Sequence, residues 1–265
     1  MTNKKYKMKS YAKVNIFLKI AGKRDNYHEL VSRFVRVKNL YDTISFEKGN
    51  FSEFTLEGDF GCETKVNTIY KAYQKLNKIS LDVEVFFKTH KVVVDKHIPE
   101  FAGLGGGSSN CATFMLMVND ICNLSLNKDE LSKIGITIGA DVPFFIYEYD
   151  SANVTGIGEI VEKFDEAIMN IKTFTPPIKC NTGAIFKIFR EKFYSEISEE
   201  EAIKLLEMKS IDILNNMDIK SANDLYLPAL NIYKELLPSN YNLPIDSFFS
   251  GSGSSFFTLI RYNNN

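Results

Sequence analysis

The stretch Gly103-Leu104-Gly105-Gly106-Gly107-Ser108-Ser109 holds four of the chain's 15 glycines. Cys111, Ala112, Phe114, Met115, Leu116, Met117 and Val118 follow at once and predict a helix. Glycine at this density lets the backbone take positive φ and lets bulky groups approach the main chain. The first N–H groups of a helix lack intrahelical acceptors and carry partial positive charge. A glycine-rich turn opening a helix is therefore a cradle for phosphate, with the Ser108 and Ser109 hydroxyls available to phosphate oxygens or a metal. Gly and Ser are also linker residues, but a linker does not normally run straight into an apolar helix. Two commoner signatures are excluded. A Walker A loop ends in Gly-Lys-Ser/Thr, and here the residues are Gly107-Ser108-Ser109. A dinucleotide fingerprint needs a glycine where this chain has Ser108.

Around that stretch lie 265 residues, 45% hydrophobic, enough for one large domain or two smaller ones. The formal net charge of −1 gives no basic field for nucleic acid. Cys62, Cys111, Cys122 and Cys180 have no paired spacing, so neither a zinc site nor a disulfide framework is expected, and a reducing cytoplasm is. No apolar run reaches membrane-spanning length, and Lys13, Asn15 and Lys19 interrupt the N-terminal one.

Alternation predicts a strand over Met8 to Ile20, a turn at Arg24-Asp25-Asn26-Tyr27-His28 and a second strand over Leu30 to Val37. Thr43 to Phe46 and Glu53 to Glu57 read as short separate strands. Asn67 is a candidate N-cap for a helix carrying Ile69, Tyr73 and Leu76. Val83 to Phe87 and Val92 to Val94 read as a hairpin through Thr89-His90-Lys91. Asn127 with Glu130, and Ser198 with Glu201, have capping-box spacing, and Gly135 ends the first of these helices. Gly139-Ala140-Asp141-Val142-Pro143-Phe144-Phe145 reads as a turn into an apolar strand. Val154 to Val161 reads as a strand interrupted at Gly156-Ile157-Gly158, and Ile168 to Phe174 as another. A helix through Leu230, Tyr233, Leu236 and Leu237 precedes the Ser250 to Ser255 segment and a strand at Phe256 to Ile260. The mixture predicts α+β in two lobes.

Three polar segments need more than folding to explain them. Lys13 and Asn15 are two apart on a strand and share a face. A solvent-facing edge is the ordinary fate of such a lysine. Asp141 sits in a turn, as a turn former or as a carboxylate placed to accept a proton. Ser250 to Ser255 alone would pass as a hairpin turn. Beside a phosphate cradle, these residues supply what phosphoryl transfer needs: a base for an acceptor hydroxyl and a cation to offset developing charge. Asp141 fits the first role. Lys13 fits the second and would keep the carboxylate ionised.

Pro99-Glu100-Phe101-Ala102-Gly103-Leu104-Gly105-Gly106-Gly107-Ser108-Ser109-Asn110-Cys111-Ala112 resembles the phosphate motif of the GHMP kinases. That superfamily includes galactokinase, homoserine kinase, mevalonate kinase and phosphomevalonate kinase. Ala12 to Leu18, Arg24 to Leu30, Gly139 to Phe145, Thr155 to Glu159 and Ser250 to Gly253 narrow the resemblance to members acting on a cytidine-diphosphate-linked methylerythritol. The resemblance covers nearly the whole chain and is weakest between Ala167 and Asn242.

The resemblance implies a two-lobed α+β fold with the active site in the cleft between its domains. Residues 1–165 would form an ATP-binding domain shaped like a small-ribosomal-subunit protein. Residues 166–265 would form a ferredoxin-like α/β sandwich that binds substrate. The implied reaction moves the γ-phosphate of ATP, with Mg²⁺, to the substrate 2-hydroxyl in the non-mevalonate isoprenoid precursor pathway. Lys13 and Asp141 match the catalytic pair. Asn67, Lys96, Pro99, Gly103, Leu104, Gly105, Gly106, Gly107, Ser108 and Ser109 match the ATP site. Asn15 matches a position near the acceptor, Tyr27 and His28 match the cytosine site, and Phe186 is the candidate opposite stacking face. An aromatic beside an imidazole also suits a nucleobase on chemical grounds, whereas a packed turn is the plainer reading. The implied partners are the two small molecules alone, with no nucleic acid and no membrane, and the chain is expected as a monomer or weak homodimer. Alternatives are a homoserine- or mevalonate-type kinase and a non-catalytic nucleotide-binding regulator. Both Lys13 and Asp141 are present, which weighs against the regulator.

Overall fold

Strand β1 spans Lys7–Arg24 and pairs with β2, Tyr27–Lys48, in a computed structural model that describes residues 6–25 and 27–260. Asp25 takes φ 52° in the turn between them, and Asn26 lies outside the described residues. Every side chain from Ala12 to Leu18 is buried. Both faces of β1 are covered, so Lys13 and Asn15 are not on a solvent-facing edge.

After β2 come β3 (Leu56–Gly58), α1 (Thr68–Asn77), α2 (Leu81–Phe87), β4 (His90–Asp95) and α3 (Gly106–Ile121). Then follow α4 (Lys128–Gly135), α5 (Val142–Tyr147), β5 (Ser151–Gly156), β6 (Ile160–Lys163) and β7 (Ile171–Phe174). The remainder is α6 (Thr182–Ile188) with a π-helical turn at Phe189–Phe193, α7 (Glu199–Glu207), α8 (Ser210–Asn216), α9 (Ile219–Ala222), α10 (Tyr226–Ile232), β8 (Phe248–Phe249) and β9 (Phe256–Leu259). The chain packs as two units interleaved along the sequence. The first takes the described residues up to Ala12, Leu40–Ile98 and Gly105–Glu148; the second takes Lys13–Asn39, Pro99–Leu104 and the described residues from Tyr149 onward.

In the first unit the end of β2 pairs antiparallel with β4, from Thr43↔Asp95 to Lys48↔His90, and β3 runs parallel to β4. Phe46 meets Phe87 edge-to-face at 5.4 Å and Phe114 at 6.0 Å. Burying each such ring stabilises by about 2 kcal/mol. Asn67 caps α1 as its spacing predicts, its side chain accepting from the Ile69 N–H, and α4 carries the full Asn127–Glu130 capping box.

Two elements differ from the sequence reading. Val83 to Phe87 is helix rather than one arm of a hairpin. Ser80 caps it, and the i, i+4 pair Val83 and Phe87 enters the core while Val85 is 61% exposed. A strand would have put all three on one face. Val142 to Tyr147 is helix rather than strand, buried from Val142 to Ile146 and packed on α3 and α4. Burial on every side erases the helical period, and proline is tolerated in a first turn.

In the second unit the start of β2 pairs with β5, from Leu30↔Gly156 to Val35↔Ser151, and β5 pairs with β6. Leu30–Val37 and Thr43–Phe46 are therefore one strand whose two halves have different partners. The glycines at 156 and 158 form the turn of the β5–β6 hairpin. Strands β7, β9 and β8 form a separate sheet. Leu18, Ile20, Ile185, Phe189, Tyr226, Phe249 and Phe256 share one core. The helix expected through Leu237 ends at Ile232, and a 3-10 turn follows at Lys234–Leu236. Arg33 is fully buried here. It donates to the carbonyls of Leu206 at 2.7 Å and Met208 at 3.1 Å, holding a cation at the C-terminal end of α7. Burial pulls its pKa down to about 10, against the Glu166 carboxylate, which acts to raise it.

Candidate active site

The glycine stretch crosses between the two units at Leu104–Gly105. On the second-unit side, Gly103 takes φ +74°, and a Cβ there would lie 2.1 Å from the Ser250 carbonyl oxygen. Ser250 Oγ donates to the Gly103 carbonyl at 2.9 Å, and the Ser255 N–H donates to the Ala102 carbonyl at 3.0 Å. The Ser250 to Ser255 segment is thus a backbone partner of Gly103, and only glycine admits it that closely. Lys13 N–H donates to the Leu104 carbonyl at 3.0 Å, tying β1 to the same stretch.

On the first-unit side, Gly105 is the N-cap of α3 at φ 70°, with no side-chain cap, and the first helical bond runs from Ser109 N–H to the Gly105 carbonyl at 2.8 Å. The N–H groups of Gly106, Gly107 and Ser108 precede that bond and have no acceptor within the helix. No acidic side chain occupies the first turn to offset their partial positive charge. Ser108 and Ser109, read from the sequence as loop, are already helical and have different surroundings. Ser109 is 1% exposed and accepts from Ser10 Oγ at 2.7 Å, whereas Ser108 is half-buried.

Lys96 and Asn67 also belong to the first unit. Lys96 Nζ donates to Asp42 Oδ2 at 2.5 Å and to Asn110 Oδ1 at 3.0 Å. Asn67 is buried at the start of α1, and the next residue, Thr68, donates from Oγ1 to the Gly107 carbonyl at 2.7 Å. That bond brings the starts of α1 and α3 together. Asp141 is the N-cap residue of α5 at φ −85°, with no side-chain cap bond to the helix. Its carboxylate stands at a helix start rather than at the end of a strand. The turn before it lies beside the start of α3, since a Cβ on Gly139 would be 3.3 Å from Ser108 Oγ.

The second unit holds Lys13, Asn15, Tyr27, His28, Pro99 and Phe186. Lys13 is 3% exposed; its Nζ donates to Asn15 Oδ1 at 2.7 Å and lies 4.6 Å from the centre of the Phe34 ring. Asn15 Nδ2 donates to Ser32 Oγ at 3.0 Å, and Ser32 Oγ donates to the Phe17 carbonyl at 2.5 Å. This relay fixes the ammonium by fixing the amide. A Cβ on Gly251 would lie 3.4 Å from Lys13 Nζ, so the Gly-Ser segment borders the ammonium too.

At the tip of the β1–β2 pair, Tyr27 is 62% exposed while His28 is buried. The His28 ring stacks on Phe186 at 5.1 Å and 21° and meets Phe189 edge-on at 5.6 Å. His28 Nε2 has no hydrogen-bond partner. Burial first, then the charges of Arg190 and Lys23, pull its pKa below the ordinary value and favour the neutral ring. Ser10, Ser32 and Asp42 escaped the sequence reading. Asn110, inside the glycine motif, has no site role that its sequence position reveals. Each acts through a partner distant in sequence or on another strand.

Residues 67–149 match the profile of the GHMP kinases N terminal domain. The chain is 49% identical over 262 residues to a Sulfurimonas denitrificans protein named 4-diphosphocytidyl-2-C-methyl-D-erythritol kinase, covering 97% of each. It is 46% identical over 256 residues to a protein of the same name from a Sulfurovum species, covering 96% of this chain and 99% of that one. A crystal structure of a 4-(cytidine 5'-diphospho)-2C-methyl-D-erythritol kinase matches with a TM-score of 0.72 at 27% identity, over 96% of this chain and 89% of that one. The fold is the two-domain α+β fold of the GHMP kinases. With near-half identity running along almost its whole length, the chain belongs to the 4-diphosphocytidyl-2-C-methyl-D-erythritol kinase family of the GHMP kinases.

Proposed function

We propose that this chain transfers the γ-phosphate of ATP to the 2-hydroxyl of 4-diphosphocytidyl-2-C-methyl-D-erythritol, giving the 2-phosphate and ADP. The carrying observation is full-length identity to relatives named for that kinase. The uncapped helix start at Gly105, with free N–H groups at Gly106 to Ser108, supports it independently as a phosphate site. Phosphoryl transfer leaves a protein little covalent work, so position and charge decide the rate.

In this reading Asp141 takes the hydroxyl proton as the new O–P bond forms and the bond to ADP breaks. Lys13 offsets charge on the transferring phosphoryl group, and Asn15 holds the ammonium and borders the acceptor. Pro99, Gly103 and Leu104 shape the approach to the helix, Gly105 to Ser109 bind phosphate, and Lys96 and Asn67 serve the nucleotide. Mg²⁺ supplies charge neutralisation on the triphosphate when bound. Among the described residues no group of three His, Cys, Asp or Glu side chains could cage a metal. A Mg²⁺ here would be held mainly by phosphate oxygens and water, with the Ser108 or Ser109 hydroxyl as its protein oxygen. His28 bonds the cytosine edge once its buried, unpaired Nε2 is uncovered, and the exposed ring of Tyr27 stacks on the base. Phe186 lies directly against His28, leaving no room for a base between those two rings, so it acts by fixing the imidazole plane.

Along the chain, 1–165 serves as the ATP-binding domain and 166–265 as the substrate domain, a division that the interleaved packing units cross. The expected site of action is the cytoplasm, where free thiols persist. None of the described helices is long and apolar enough to cross a membrane. Purified protein with ATP, Mg²⁺ and the cytidylyl substrate should release ADP and a new phosphomonoester. Homoserine and mevalonate offered in its place should give neither. Turnover of one of those alcohols alone would overturn this reading.

A further inference from the structure

The Ser-Ser-Asn end of the glycine stretch leads to a carboxylate that the reaction outlined above does not use. Asp42, in the middle of β2, is fully buried. Its Oδ2 accepts from Lys96 Nζ at 2.5 Å and from Asn110 Nδ2 at 2.8 Å. Its Oδ1 accepts from the N–H groups of His97 at 2.7 Å and Ile98 at 2.8 Å. All five residues lie in the first unit. A buried carboxylate is costly unless its oxygens are matched, and here both are matched, one by an ion pair with Lys96.

The consequence falls on Lys96. A lysine ammonium is a point charge on a flexible four-carbon stem with three donors. Asp42 and Asn110 Oδ1 take two of those donors. Asn110 is itself anchored by Asp42 and by Ser10 Oγ, to which its Nδ2 donates at 2.9 Å. The ammonium is thereby held at the first residue of α3, where a Cβ on Gly106 would come within 3.7 Å of it. Two of its directions are spent on the protein, and the third remains for a ligand at the helix start.

We propose that Asp42 is a positioning residue for ATP: through the Asp42–Asn110 pair it sets the Lys96 ammonium at the phosphate helix. This rests on the reading of Lys96 as a nucleotide-binding residue. Asp42→Asn removes the charge and turns an amide toward two donors. The full-length variant should show a KM for ATP raised about tenfold, with kcat and the KM for the cytidylyl substrate within about twofold. If it does not fold, Asn110→Ala removes one tether without stranding a charge and should raise the ATP KM about threefold. An unchanged ATP KM in the folded variant, or a fall in kcat with both KM values unchanged, overturns the proposal.

Lys96→Ala separates the two readings. If that variant keeps its ATP KM, the role of Lys96 fails and takes the positioning role with it. If it raises the ATP KM while the Asp42 and Asn110 variants do not, the positioning role alone fails. In the Lys96→Ala background, Asp42→Asn should add nothing further. A second, additive rise would mean that Asp42 acts through the His97–Ile98 backbone, and would overturn the inference.

Discussion

At the start of α3, Ser10, Asp42, Lys96, Ser109 and Asn110 hydrogen-bond to one another, and the groups left over are the backbone N–H groups of the first turn and one donor of the Lys96 ammonium. At the tip of the β1–β2 pair the arrangement is the reverse. A buried ring nitrogen of His28 has no partner, and the neighbouring Tyr27 ring is largely in solvent. The first region matches most of its side-chain groups internally and offers mainly main chain to a ligand. The second is held incomplete and offers side chains. Phosphate is common to many substrates and is met well by backbone N–H groups. A base has to be told from other bases, which needs a donor or acceptor left unsatisfied until it arrives.

The strongest way to break this contrast is at neither region but at the chemistry that both are held to serve. Asp141→Asn keeps the shape and removes the carboxylate proposed as the base. It should lower kcat by about a thousandfold, the range for losing a general base, while leaving ATP binding intact. Equilibrium binding of ATP and single-turnover rates would separate the two effects. A variant that lost ATP binding and turnover in parallel would show that Asp141 builds the phosphate region instead.

Gly103→Ala strikes next, at the contact between the glycine stretch and the Ser250 segment. The added Cβ would meet a carbonyl oxygen at 2.1 Å with φ at +74°. Destabilisation of about 3 kcal/mol is expected from backbone strain and displacement together. Urea titration would measure it, and a change under about 0.5 kcal/mol would show that the segment yields easily.

Legibility in the sequence followed the range of the interactions. Caps at Asn67 and Asn127 were readable because donor and acceptor lie within three residues. The glycine stretch was readable because its backbone angles depend on glycine itself. Helices α2 and α5 were misread because β-branched and aromatic residues favour strands locally, and packing on neighbouring helices decided otherwise. Ser80 ahead of Asp82 and Glu84 was a usable helix signal that alternation at Val83, Val85 and Phe87 outweighed. Asp42 was invisible as a site residue because Lys96 and Asn110 stand 54 and 68 positions away. The partners of His28 at Phe186 and Phe189 are more remote still in the chain.

His28→Gln sharpens the contrast at the tip proposed to read the base. Gln keeps a polar tip but loses the ring that stacks on Phe186. The KM for the cytidylyl substrate should rise about tenfold, the worth of one hydrogen bond in a buried site, with the KM for ATP unchanged. A parallel rise in both would mean that the tip and the phosphate region are not separable.

The smallest effect comes from the same histidine and concerns the fold alone. Burial, with Arg190 and Lys23 nearby, pulls the folded pKa of His28 below its ordinary value of 6.5. The unfolded chain therefore binds the proton more readily than the folded one. Stability from this group is fully present above pH 6.5 and is lost as pH falls through the lower, folded value. Between about pH 7 and pH 5.5, where most carboxylates remain ionised, the melting temperature should decline on acidification. In His28→Gln that part of the slope should disappear, even though the variant is less stable throughout. An identical slope in both proteins would mean that the imidazole takes its proton in place, and that the unpaired nitrogen is not kept neutral for a base.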